Sequence, residues 1–237
     1  MNKILKGLSL FLGIALSINV FLIAFEFLAF NAAYYRSEFD TLGVAESIGI
    51  SSDYLHHVSD SLVHYIDDGS GNLMQTVMID GKPTVFFNAK ERQHLEDIRL
   101  LVIAFRRFLF VIQVAILVGL LFLYYGSGKN LIELIAPLKI AFWTAIALLL
   151  FLLSLYFIDF DWAFRRFHEI FFNNDLWLLN PATDRLIQMM PLDFFIRFTK
   201  HWLLIAGTVH LLMLGAYQLL KRLFTPHDLG LAKALDK

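Results

Sequence analysis

Four long apolar runs alternate with polar segments along the chain. The runs cover residues 8–30, 108–125, 140–158 and 202–220. Each has close to the roughly 20 residues needed to cross a hydrocarbon core, and a single chain segment in lipid can satisfy its own backbone only as a helix. The pattern therefore predicts four transmembrane helices.

The first run follows Lys3 and Lys6, as the apolar part of a signal peptide also would. Its 23 residues exceed the roughly 7–15 of a signal peptide, and no A-x-A cleavage pattern follows it. We therefore expect a helix that is retained in the mature protein.

The polar segments 31–107 and 159–201 are each too short to build a stable core alone. We expect them to pack together as one small cap. Within the first segment, the apolar spacing over 52–66 predicts an amphipathic helix. Two β-rich runs around Asp80-Gly81 predict a hairpin over 76–87.

The end of the first polar segment predicts a helix that continues into the second span. Asn88 is a suitable N-cap, and Glu91 stands three residues later, as in a capping box. On this helix Glu91, His94 and Asp97 are spaced three apart, so they share one face.

The second polar segment contains FHEIFFNNDLWLLNP, residues 167–181. Its phenylalanines predict a helix at the membrane interface, and Asn173, Asn174 and Asp175 are expected to end that helix or to order the loop after it. Trp177 stands where aromatic belts form in membrane proteins.

Composition and charge support a multi-pass membrane protein. The chain has 237 residues, of which 58% are hydrophobic, against about 45–50% in soluble domains. Segments 1–7, 126–139 and 221–237 hold eight Lys and Arg in 38 residues, whereas the two longer polar segments hold twelve in 120. This asymmetry predicts that both termini are cytoplasmic and that the cap is extracytoplasmic.

The expected fold is therefore mainly α, with four transmembrane helices and a small α+β extracytoplasmic cap. Five parts follow along the chain: 1–30 with the first span, 31–107 as the first part of the cap, 108–158 with spans two and three and a short cytoplasmic loop, 159–201 as the second part of the cap, and 202–237 with span four and the tail.

Several reaction classes are excluded by the sequence. The chain has no cysteine, so thiolate metal sites and cysteine nucleophiles are absent. Phe172 replaces the second histidine of a HExxH zinc motif, and neither a nucleotide-binding P-loop nor a GxSxG serine motif occurs. No basic stripe indicates nucleic acid.

Two histidines remain as candidates for chemistry, His94 and His168. A neutral imidazole can act as a base at physiological pH, and a second can donate a hydrogen bond to a developing oxyanion. Nearby carboxylates that can orient the rings are Glu91, Asp97 and Glu169. The alternative is two separate interfacial histidines, each satisfied by its neighbouring carboxylate.

The stretches FNAKERQHLEDI and FHEIFFNNDLWLLNP, within a four-span chain, resemble the bacterial lipoprotein intramolecular transacylase family. The resemblance implies an acyltransferase that acts on a membrane lipoprotein whose N-terminal Cys carries a diacylglyceryl group. An ester-linked acyl chain moves from the glycerol to the α-amino group of that Cys, which yields an N-acylated, lyso-form lipoprotein.

The resemblance also matches the two family histidines to His94 and His168, and we expect one to be the general base, with His94 preferred, and the other to polarise the ester carbonyl. Asn173, Asn174, Asp175 and Trp177 are expected to support them. We expect no cofactor, metal, nucleotide or nucleic acid, and the partners are the diacylated lipoprotein and membrane lipid.

Two alternatives remain open. Two histidines and a carboxylate also suit catalytic zinc, so the chain could be a membrane metalloenzyme that uses His94 and His168 as ligands. It could also be a non-catalytic membrane protein whose cap binds a partner, in which case both histidines could be replaced without consequence.

Overall fold

The computed structural model describes residues 2–79, 82–158 and 160–225. The elements in chain order are α1 (Lys3–Ala29), α2 (Ala32–Thr41), α3 (Val44–Ser47), α4 (Ser52–Asp67), β1 (Thr76–Ile79), β2 (Lys82–Val85), α5 (Ala89–Gly126), α6 (Leu131–Ile158), α7 (Phe160–Phe171), α8 (Arg185–Met189) and α9 (Leu192–Phe224).

Four helices, α1, α5, α6 and α9, are long and apolar enough to cross a membrane. The chain is therefore a multi-pass membrane protein, mainly α-helical. All four begin before their apolar runs: α1 by five residues, α5 by nineteen, α6 by nine and α9 by ten. Hydropathy marks only the lipid-facing part of a helix, and these extensions carry polar residues within their turns.

The chain forms two compact units. One, the helical bundle, contains the described parts of 1–23, 109–154 and 203–237, and the other, the polar unit, contains 24–108 and 155–202. Both polar segments of the sequence thus belong to the same unit.

Glycine allows close packing inside the helical bundle. A Cβ atom on Gly13 of α1 would lie 2.4 Å from the Cβ atom of Ile140 and 3.0 Å from the carbonyl oxygen of Pro137, both on α6. On α5, a Cβ atom on Gly119 would lie 2.7 Å from a methyl carbon of Leu12. The side-chain hydrogen of glycine therefore lets α1 approach both neighbouring helices.

One hydrophobic core holds the polar unit together. From the first polar segment it contains Phe39, Leu55, Leu62, Phe86 and Leu95, and from the second it contains Leu186, Met189 and Phe194. Helix α4 buries one face in this core, including Leu55, Val58 and Leu62, as its periodicity predicts. The short helices α2, α3 and α8 have no strong apolar period, so they could not be predicted from the sequence.

The predicted hairpin is present as β1 and β2, which pair antiparallel with Thr76 opposite Val85. The Asp80-Gly81 turn lies outside the described residues. After β2, the predicted capping box starts α5: the Asn88 side chain accepts the N–H of Glu91, and the Glu91 carboxylate accepts the N–H of Asn88 at 2.6 Å. From there α5 continues without a break to Gly126.

Candidate active site

His94 lies on the second turn of α5, fourteen residues before the apolar span begins at residue 108. Its side chain is almost fully buried, with 4% of its surface exposed. The Nδ1 atom is buried without a hydrogen-bond partner. A buried acceptor without a partner costs less than a buried N–H without one, so the proton of the neutral ring is assigned to Nε2.

His168 lies on the last turn of α7 and is 8% exposed. Its Nδ1 atom lies 2.7 Å from the backbone carbonyl oxygen of Phe164, one turn earlier. Because a carbonyl oxygen only accepts, Nδ1 carries the proton. The neutral ring therefore keeps the lone pair of Nε2 available as an acceptor.

The two imidazoles are brought together from distant parts of the chain. Their ring centroids are 6.1 Å apart, with an angle of 39° between the ring planes. Phe172 contacts both rings, at 5.1 Å from His94 and 5.7 Å from His168. Trp177 stacks on His168 at 4.8 Å with an interplanar angle of 26°.

Burial in this aromatic environment keeps both rings neutral. Burial, with a smaller contribution from the nearby His168, lowers the pKa of His94 to about 4, while Asp97 acts in the opposite direction. Burial also lowers the pKa of His168, against the opposing effect of the hydrogen bond to the Phe164 carbonyl. Both imidazoles are thus in the form that can accept a proton or donate a neutral N–H at pH 7.

The loop that carries Trp177 is tied to the first turns of α5. The Asn174 amide donates to the Asp97 carboxylate at 2.9 Å, and the Lys90 ammonium donates to the backbone carbonyl oxygen of Leu178. These bonds hold residues 172–178 beside the helix that carries His94.

Two further hydrogen bonds join the start of α5 to residues 184–186. The Glu91 carboxylate accepts the N–H of Leu186 at 2.6 Å, and the Asn88 amide donates to Asp184 at 3.0 Å. Glu91 is 1% exposed, and burial raises its pKa, while the backbone N–H groups of Leu186 and Asn88 lower it. Its hydrogen bonds thus go to the backbone, whereas the sequence suggested that it orients an imidazole.

The remaining predicted residues lie around this centre. Glu169 pairs with Arg166 at 2.6 Å, and both are about half exposed. Asn173 and Asp175 are exposed, directly after α7 ends at Phe171. Trp177, which the sequence places in an aromatic belt and among the residues that support the histidines, covers one face of His168.

Three contributors were not predicted from the sequence: the Phe164 carbonyl, Lys90 and Asp184. The spacing of Phe164 and His168, four residues apart in a helix, is a usable signal, because a side chain can bond the carbonyl one turn earlier. Lys90 and Asp184 act through contacts between residues distant in sequence, which leave no local pattern. Among the described residues, no group of three or more His, Asp, Glu or Cys is placed to hold a metal ion.

A family model described as lipoprotein intramolecular transacylase Lit matches residues 10–195. The chain belongs to this family. The family match confirms the resemblance found in the sequence and, with it, the predicted function of intramolecular acyl transfer on a lipoprotein. The chain is thus a membrane acyltransferase, and neither the metalloenzyme nor the non-catalytic alternative is favoured.

Solved structures of a Lit enzyme have the same fold. The membrane integral lipoprotein intramolecular transacylase Lit from Bacillus cereus aligns with a TM-score of 0.75 at 19% identity, which covers 94% of this chain and 98% of that chain. Two structures of that enzyme with one histidine replaced by arginine or alanine align with a TM-score of 0.71 at 18% identity. They cover 92% of this chain and 92% and 94% of those chains. No curated protein matches at a significant level.

Proposed function

We propose that His94 and His168 together transfer an acyl chain from the glyceryl ester of a diacylated lipoprotein to the α-amino group of its N-terminal Cys. The observation that carries this proposal is the pair of buried imidazoles 6.1 Å apart, one with a free acceptor nitrogen and one with an unbonded nitrogen. Such a pair can serve one reacting centre, because a proton acceptor and a hydrogen-bond donor are both at hand.

In this proposal His168 is the general base, which reverses the preference derived from the sequence. Its Nδ1–H is held by the Phe164 carbonyl, so Nε2 accepts the proton of the attacking amine. The pKa of His94, lowered to about 4, makes that ring a much weaker base. A base whose pKa lies nearer the working pH is the more effective one.

His94 has the complementary role of electrophile. With its proton on Nε2, the ring presents one neutral N–H to the ester carbonyl oxygen. A ring that stays neutral at pH 7 is suited to donate a hydrogen bond to an oxyanion in a site with little water.

The reaction then balances without a nucleophile from the enzyme. The neutral α-amine, whose ordinary pKa is about 7.7–8.0, attacks the ester carbon and forms the C–N bond. His168 takes one proton from the nitrogen, and the His94 N–H binds the oxyanion. As the C–O bond breaks, the His168 proton passes to the departing glycerol oxygen. Holding amine and ester side by side makes the step unimolecular.

Trp177 has a positioning role for His168. Its stacked indole restricts rotation of the imidazole and stabilises the imidazolium that forms when the ring takes the proton. The Asp97–Asn174 and Lys90–Leu178 hydrogen bonds hold the loop that carries this indole. The proposal therefore includes Asp97, Asn174 and Trp177 as residues that act through His168.

The site is proposed to face the extracytoplasmic side, with both termini in the cytoplasm. The twofold higher density of Lys and Arg in the short segments supports this orientation. Since the chain has no natural cysteine, Ser70→Cys and Lys129→Cys each introduce a single thiol. A membrane-impermeant thiol reagent on intact cells should label the first and leave the second unlabelled, and the reverse pattern would refute this topology.

Replacement of each histidine by Ala and by Gln tests the two roles. Glutamine can donate an N–H to an oxyanion but cannot take up a proton at neutral pH. We expect His94→Ala to lower kcat by about 10²–10³ and His94→Gln to recover roughly tenfold of that loss. We expect His168→Ala to lower kcat by about 10²–10⁴, with no recovery in His168→Gln.

The measurement is mass spectrometry of a purified diacylated reporter lipoprotein, which separates N-acylated from O-acylated product. Recovery by glutamine at position 168 but not at position 94 would show that the roles are exchanged. Full activity in either alanine variant would refute the proposed pair.

A further inference from the structure

A cavity of about 530 Å³ lies among α1, α5 and α6 within the helical bundle. Its lining includes Leu16 of α1, Leu120 and Tyr124 of α5, and Leu134 and Pro137 of α6, and the other lining residues are Leu or Ile. The Tyr124 hydroxyl is the only polar side-chain group among the lining residues. The volume falls within the roughly 300–1,000 Å³ of ligand-binding pockets in proteins.

Pro137, which lies inside α6, is one of the residues that line this cavity. A proline within a helix removes one backbone hydrogen bond and crowds the carbonyl of the preceding turn, so it disturbs regular helix packing. Beside it, Gly13 of α1 lies against the Pro137 carbonyl and Ile140. Helices α1 and α6, two of the three helices that line the cavity, are thus in close contact at this glycine.

The composition of the cavity selects an apolar occupant. A buried water needs two to four polar partners, which a wall of Leu, Ile and Pro side chains does not supply. An acyl chain, in contrast, makes dispersion contacts with every wall. Leu117 and Leu121 form one side of the cavity and are 60% and 50% exposed, so a chain can enter from the surrounding lipid.

The charges next to the cavity select an anionic headgroup. Lys129 stands two residues before the lining residue Leu131, and Lys139 directly follows the lining residue Leu138; both lysines are exposed. Lys3 and Lys6 lie on the first turn of α1, at the end where Leu5 meets Gly126 of α5. Four lysines and one glutamate, Glu133, therefore lie on the segments that border the cavity, which gives these segments a net positive charge.

We propose that this cavity binds one acyl chain of an anionic phospholipid, with the phosphate against Lys129 and Lys139. The proposal concerns the helical bundle and does not depend on the roles of His94 and His168. It gives the enzyme a lipid-binding site separate from that of its lipoprotein substrate.

The first test fills the cavity. Leu134→Trp places a large ring inside it, whereas Leu150→Trp adds the same ring at a 63% exposed position of α6 outside the lining. Native mass spectrometry of the full-length protein with added phosphatidylglycerol should show at least about tenfold weaker binding in Leu134→Trp and unchanged binding in Leu150→Trp. Equal binding in both variants would overturn the proposal.

The second test examines the headgroup. Phosphatidylglycerol should bind more tightly than phosphatidylcholine with the same chains, and Lys129→Ala and Lys139→Ala should each weaken binding of phosphatidylglycerol by about fivefold. Lys200→Ala, at an exposed position of α9 in the polar unit, is the matched control. Equal affinity for the two lipids would overturn the choice of an anionic lipid.

A third measurement uses the unaltered protein, so it holds even if Leu134→Trp does not fold. Phosphatidylglycerol with a photoreactive diazirine in its acyl chain should crosslink to peptides that contain residues 117–124 or 131–138. Crosslinks spread evenly over the four spans would contradict a defined site. Activity on the reporter lipoprotein separates the two proposals, because loss of lipid binding in Lys129→Ala should leave the histidine chemistry intact.

Discussion

Two buried environments for histidine in this protein differ in how completely the ring nitrogens are bonded. In the helical bundle, the His210 Nδ1 atom lies 2.7 Å from the Ala206 carbonyl oxygen and Nε2 lies 3.0 Å from the Ser17 hydroxyl. In the polar unit, His168 has one such partner, and the Nδ1 atom of His94 has none.

This difference separates a structural histidine from a pair available for chemistry. His210 has a donor and an acceptor, so it joins α9 to α1 and has no nitrogen left for a substrate. His94 and His168 are equally well buried but keep nitrogens free, which costs stability in the folded enzyme. Residual hydrogen-bonding capacity thus distinguishes the two environments better than burial does.

The largest expected effect of removing one of these histidines is that of His94→Leu. The variant should lose at least about 10²-fold in kcat, because the proposed oxyanion donor is removed. It should also be more stable by about 1 kcal/mol, because a buried nitrogen without a partner is replaced by carbon. His210→Leu should show the opposite pattern, with activity retained and a lower thermal midpoint. Reporter turnover and thermal unfolding in detergent measure both effects, and a destabilised His94→Leu would contradict the assignment.

Stability should depend on pH through the two site histidines. A histidine whose pKa is lowered on folding binds fewer protons when folded, so the free energy of unfolding falls as pH drops below the ordinary value of about 6.5. For His94, with a pKa of about 4, the loss continues to about pH 4 and totals about 3 kcal/mol.

This pH effect is measured by thermal unfolding in detergent between pH 7.5 and 4. The change of the unfolding midpoint with pH should be clearly smaller in His94→Gln than in the unaltered protein. Identical slopes would mean that the His94 imidazole does not titrate as its burial requires.

Trp177 should have an intermediate effect. Trp177→Leu is expected to lower kcat by about tenfold with little change in KM, because the imidazolium loses its stacked partner. Trp177→Phe should recover part of the loss, since a smaller aromatic ring still covers His168. Trp143→Leu, at a 61% exposed position of α6, is the control. A change confined to KM would assign Trp177 to substrate binding instead.

The smallest expected effect concerns the hydrogen bond between His210 and Ser17. A double-mutant cycle with Ser17→Ala and His210→Phe should give a coupling energy of about 0.6 kcal/mol, typical of hydrogen bonds between membrane helices. The cycle is measured by reversible unfolding in mixed micelles, with reporter turnover unchanged throughout. A coupling energy near zero would mean that this bond does not join α9 to α1.

Features set by local chemistry could be predicted from the sequence. Four spans follow from apolar runs, and the start of α5 follows from Asn88 and Glu91, which bond each other within one turn. The pair His94 and His168 followed from elimination and from the family resemblance. Their proximity, in contrast, depends on packing between α5 and α7, which no periodicity encodes.

Features set by contacts between distant residues were missed. Glu91 was a candidate to orient an imidazole, but the oxygen that is not used in the capping box accepts the backbone N–H of Leu186, which is distant in sequence. The sequence favoured His94 as the base, whereas the proposal gives that role to His168, because the proposed assignment depends on which nitrogen of each ring is bonded. That information lies in a single distance from His168 to the Phe164 carbonyl.

The stack of Trp177 on His168 has an optical consequence. A protonated imidazole in contact with an indole quenches its fluorescence more strongly than a neutral one. Of the four tryptophans in the chain, Trp177 is the one stacked on the proposed base. Its emission therefore reports the charge of that ring, so a single-tryptophan enzyme would dim as the proton arrives and brighten as it leaves.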